Sequence, residues 1–85
     1  MNFKNWMSRN YRYSLNEKGD LAHHIRTDEK FPQNGKGKFD GWRALIRSYL
    51  IEHGADHGRL QTFDICWEEY EKCERAGLKG YSCRR

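Results

Sequence analysis

Between Leu60 and Tyr70 the chain reads LQTFDICWEEY, with Leu60, Phe63, Trp67 and Tyr70 at i, i+3, i+7 and i+10. That spacing is one face of an α-helix, and it carries three aromatic rings. The opposite face holds Glu68, Glu69 and Glu71. A helix so divided must press its apolar stripe onto a core and leave its acids in water. In a chain of 85 residues a single domain is expected. So small a domain has little core, and each large side chain counts. An aromatic share of 14% supplies the missing bulk, because each ring buries a large area.

The other elements follow from periodicity and punctuation. Helix one is expected from Asn2, a reasonable N-cap, to Tyr11, with Phe3, Trp6, Met7 and Tyr11 as its stripe. Residues 12–18 read as a loop, with Gly19 marking the transition into a short helix over Asp20–Asp28 that buries Leu21, Ala22 and Ile25. Phe31–Lys38 is a loop, since Pro32 biases Phe31 away from helix and two glycines follow. In helix three Trp42, Leu45, Ile46, Tyr49 and Leu50 fill an amphipathic template, Asp40 suits the N-cap or first turn, and Gly54 ends the helix. Helix four runs over Arg59–Ala76, with a break before Thr62 as an alternative start and Gly77 as the stop. Residues 1–76 make the domain and 77–85 a weakly ordered basic tail. The expected fold is all-α, a bundle of four to five short helices. Its core holds Phe3, Trp6, Leu21, Ile25, Leu45, Ile46, Tyr49, Leu50, Phe63, Trp67 and Tyr70.

No apolar run approaches the roughly 18 residues of a membrane span. The first seven residues, MNFKNWM, lack the apolar region of a signal peptide. A cytoplasmic monomer is expected. Cys66, Cys73 and Cys83 form an odd set without a disulfide framework and read as reduced thiols.

The run GDLA with Ile25, Asp28 and Phe31-Pro32, and the run Phe63-Asp64 with Trp67 and Tyr70, also carry a family resemblance. With Phe3, Trp6, Met7, Ile46, Tyr49 and Leu50 they resemble the YozE-type SAM-like domain of small bacterial and phage proteins. The resemblance spans about residues 3–70. It implies a bundle similar to a sterile alpha motif, and a binding module, of a kind also encoded by phages, more than an enzyme. The Gly35–Lys38 insert and the tail after Gly77 depart from the family's pattern.

Charge is where a function can be sought. The net charge of +4 is unevenly spread. Residues 1–47 hold ten Lys/Arg against five Asp/Glu, and residues 48–74 hold two against seven. Lys36 and Lys38 sit in a glycine-rich loop that feeds helix three, where Arg43 and Arg47 are one turn apart on the face away from Leu45 and Ile46. A flexible loop before a helix N-terminus can present N–H groups and ammonium groups to phosphates. Lys36, Lys38, Arg43 and Arg47 are therefore the expected nucleic-acid contacts, and Arg9, Arg12 and Arg26 can widen the patch. The same residues also fit an ordinary solvated helix face. The acids Asp64, Glu68, Glu69, Glu71 and Glu74 read either as an exposed charged helix or as a docking surface for a basic partner.

Catalysis finds little support: no serine lies in an elbow motif, and no acid pair has catalytic spacing. His53 and His57 are one turn apart, but Gly54 and Gly58 interrupt the helix. Cys66 and Cys73 are about 10.5 Å apart in helical rise, too far to share a metal or a disulfide. No metal and no cofactor is expected. The leading expectation is a non-enzymatic module that contacts nucleic acid or a nucleoprotein through the basic loop and helix. The alternative is a protein-interaction adaptor, or an inhibitor of a host protein, using its acidic helix or loop surfaces.

Overall fold

The computed structural model describes residues 1–35 and 37–76 as four helices: α1 (Phe3–Tyr11), α2 (Glu17–Thr27), α3 (Phe39–Glu52) and α4 (His57–Arg75). There are no strands among the described residues. No helix among them is long and apolar enough to cross a membrane. The expected Gly77 stop and basic tail lie outside the described residues.

Helix starts follow their caps. Asn2 caps α1 as expected, its side chain accepting from Asn5 N at 2.8 Å. Asn16 does the same for α2, accepting from Gly19 N at 3.2 Å. So α2 begins three residues before the expected Asp20, and Gly19 lies inside its first turn. The glycine is needed there for space: a Cβ on Gly19 would stand 1.9 Å from the Ser14 carbonyl oxygen. Asp56 caps α4 through Arg59 N at 2.8 Å, which removes the break proposed before Thr62. The Thr62 hydroxyl instead donates back to Gly58 O within the helix.

Helix α3 ends where the glycine signal places it. Gly54 has φ 83°, Gly54 N donates to Ile51 O, and Ala55 N donates to Leu50 O. That pair of bonds is a Schellman stop. At the other end Lys38, with φ 51°, occupies the N-cap position without a side-chain cap.

Helix α4 packs against the other three helices, and α1 also lies along α2. The centre of the core is aromatic. The Phe3 ring lies 5.0 Å from Trp67, 5.5 Å from Phe63 and 5.5 Å from Tyr70, mostly tilted or edge-on. Trp6, Met7, Leu21, Ile25 and Ile46 are buried around them. Two core expectations change. Leu45 is 49% exposed, because α3 turns Ile46 and Leu50 inward and leaves Leu45 on the solvent side. Tyr49 is only partly buried.

A bond network beyond the reach of sequence patterns closes the bundle. Buried Asn34, in the loop before α3, accepts from Phe3 N at 2.8 Å and donates to the Tyr70 hydroxyl at 2.8 Å. That hydroxyl donates onward to Met1 O at 2.7 Å. Asn34 thereby satisfies a backbone donor of the first turn of α1, which has no partner inside the helix.

Candidate nucleic-acid interface and its charge seam

Arg43 and Arg47 lie one turn apart on α3, and both face α4 rather than open solvent. Arg43 Nη2 is 3.3 Å from Asp64 Oδ1 and 3.3 Å from Glu68 Oε2. Arg47 Nε is 3.4 Å from Asp64 Oδ1. Two guanidinium groups thus meet two carboxylates in one seam. The seam is close to neutral, so the positive field a phosphate seeks is largely cancelled there. Each pair is partly exposed and individually weak.

The sequence-derived basic set therefore divides. Arg43 and Arg47 are neutralised at the seam. Lys38 stands exposed at the entrance to α3. Lys36 lies outside the described residues.

The acidic set is engaged as well. Asp64 and Glu68 hold the arginines. Glu71 accepts from Arg75 Nε at 2.8 Å, and Glu74 lies 3.3 Å from the Met1 ammonium. Glu69 joins a three-helix knot with Tyr11 and Lys18. The Tyr11 hydroxyl donates to Glu69, and Lys18 Nζ donates to its other oxygen at 2.8 Å. Burial, reinforced by the Glu69 carboxylate, pushes the Tyr11 phenol up to about 12, and Glu69 raises the Lys18 ammonium. The two surfaces that looked separate along the chain face one another.

Other cations are left without acids. Arg9, Arg12, Arg26 and Lys38 take part in no ion pair among the described residues. Arg12 lies over the Tyr13 ring at 5.4 Å, and Arg26 Nη2 is 3.1 Å from His23 Nδ1. Tyr13 is 83% exposed, and Leu15, two residues on, is fully exposed.

No group of three or more His, Cys, Asp or Glu among the described residues is arranged to hold a metal ion. Cys66 is a buried free thiol, which burial pushes up to about 12, so it is protonated near neutrality. Cys73 is disulfide-bonded, which corrects the reading of three reduced thiols. Cys66, two turns away on the same helix, is not its partner.

The helical bundle and its aromatic stripe define a SAM-like module. The family model described as YozE SAM-like fold matches residues 2–72, most of the chain, and the protein belongs to that family. No curated protein and no solved structure matches it.

Proposed function

We propose that this protein is a non-enzymatic binding module that contacts nucleic acid or a nucleoprotein through basic side chains outside the α3–α4 seam. Arg9, Arg12, Arg26 and Lys38 serve as phosphate contacts, and Lys36 joins them by its place between Gly35 and Gly37. The observation that supports this reading is the pairing pattern. Arg43 and Arg47 are held on carboxylates, while these four described cations have none. Cations free of internal acids keep their full attraction for a polyanion.

The test is a fluorescence-anisotropy titration against labelled duplex and single-stranded DNA and RNA at about 50 and 200 mM salt, because phosphate-driven affinity falls steeply with salt. Salt-sensitive binding is expected. Arg9→Glu with Arg12→Glu should abolish it, and Arg43→Gln with Arg47→Gln should leave it nearly unchanged. Absence of binding at the lower salt overturns the proposal.

The second reading is a protein partner met at the loop between α1 and α2. The exposure of Tyr13 and Leu15, two large side chains at one loop, favours it. Capture that survives the arginine reversal but is lost in Leu15→Ser supports this reading over the first.

A further inference from the structure

A pocket of about 280 Å³ opens where the C-terminal ends of α2 and α3 meet the first turn of α4. Ile25, Phe31, Leu50 and Ala55 give it apolar walls, and His24, His53 and Arg59 also line it. Its size lies just below that of pockets for drug-sized ligands, so it suits one ring or branched chain with a single polar head.

Two features decide the sign of that head. Asp28 is the one carboxylate in the lining, and its oxygens are already occupied. Oδ2 accepts from the Tyr49 hydroxyl at 2.5 Å, and Oδ1 accepts from Lys30 N at 3.0 Å. The Tyr49 ring is itself fixed by stacking on His53 at 4.0 Å. Arg59, in contrast, is loosely held. Its only ion pair among the described residues is to Asp20 at 3.8 Å, and the Asp20 side chain is 70% exposed. A guanidinium so weakly committed can turn to an incoming acid and hold it with two parallel hydrogen bonds. Asp28 stays ionised at neutral pH, because the Tyr49 hydrogen bond lowers its carboxyl. Its charge opposes a dianion such as a phosphate monoester more than a singly charged carboxylate.

We infer that this pocket binds a carboxylate carrying one bulky apolar group, with the apolar part against Phe31 and Leu50 and the carboxylate on Arg59. Such an acid can be a free small molecule or the last residue of a polypeptide. The site uses none of the cations assigned to nucleic acid, so either proposal can fail without the other.

The experiment is an amide NMR titration of the whole chain with three probes: phenylacetate, the peptide Ala-Ala-Phe with a free carboxylate, and the same peptide as its amide. Saturable shifts centred on Ile25, Phe31, Leu50, Ala55 and Arg59 are expected from at least one carboxylate. The amide should bind about tenfold more weakly or worse. Binding of phenylacetate alone identifies a small acid, binding of the peptide alone identifies a chain terminus, and either supports the site. Arg59→Gln should weaken binding about tenfold, with folding checked by circular dichroism. Ala55→Leu, which adds bulk to the pocket wall, tests occupancy independently should Arg59→Gln disturb the fold. The inference is overturned by the absence of saturable shifts up to ~10 mM of either acid. Equal binding of the amide, or unchanged binding in both variants, overturns it too.

Discussion

Helix α4 has two working edges, and they are held by different physics. Its inner edge presents Phe63, Trp67 and Tyr70 to Phe3 and Trp6, all within 1% of full burial. Its outer edge presents Asp64 and Glu68 to Arg43 and Arg47, side chains that water still reaches. The inner edge gains by removing apolar area from water, roughly 25 cal/mol per Å². The outer edge exchanges hydrated charges for paired ones at almost no net gain. The inner edge therefore carries the stability, and the outer edge fixes which charges are paired within the fold.

The sharpest way to break that contrast is Trp67→Ala, expected to cost ~3–5 kcal/mol and to unfold much of this small domain. A thermal midpoint like that of the parent protein would refute the division. Gly19→Ala ranks next, at about 1–3 kcal/mol or more, because its methyl group meets the Ser14 backbone rather than a yielding side chain. Urea unfolding measures it, and a neutral result would mean that the turn before α2 relaxes freely.

Asn34→Ala should cost about 1–3 kcal/mol by orphaning the Phe3 N–H and one bond of Tyr70. Faster hydrogen exchange at the Phe3 amide is the specific sign of it. Alkaline titration has a definite direction. The Tyr11 and Tyr49 phenols are raised from 10.0 to about 12 in the folded protein, the second by its bond to Asp28. A raised folded value adds stability that is fully present below pH 10 and is lost as pH climbs toward 12. Lys18 shifts the same way. Unfolding free energy against pH should fall in that window, and Tyr11→Phe should flatten part of the fall. The smallest effect belongs to the outer edge: Arg43→Gln with Arg47→Gln should change stability by under ~1 kcal/mol, less at high salt. A larger loss would make the seam a structural pillar and blur the two edges into one.

The inner edge could be read from the chain because aromatic side chains at helical spacing leave few choices. Phe3, Trp6, Phe63, Trp67 and Tyr70 are all buried as their periodicity requires. The stop at Gly54 was legible for the same reason, since only a few residue types adopt a positive φ comfortably. The start of α2 was hidden by Gly19, which in sequence is a turn signal and in the fold is a point of close approach. Leu45 fitted the template of α3 but lies outside the arc that α3 buries. The outer edge was the least legible. Arg43 and Asp64 are far apart along the chain, and no one-dimensional pattern reveals that a basic helix and an acidic helix will be neighbours. The pocket beside Arg59 draws on three helices and was equally invisible.

Asn34 also constrains how this chain can change in length. It grips Phe3, 31 positions earlier, and Tyr70, 36 positions later, from within a connection that otherwise looks expendable. Residues added before it, between Asp28 and Asn34, must be absorbed without moving that grip. Residues added after it, at Gly35, meet no such demand, and a Cβ there has open space, whereas Gly37 holds a φ of 69° that side chains strain. The tether thus divides one loop at Asn34, and it is just after that residue, at Gly35, that a changed sequence meets the least constraint.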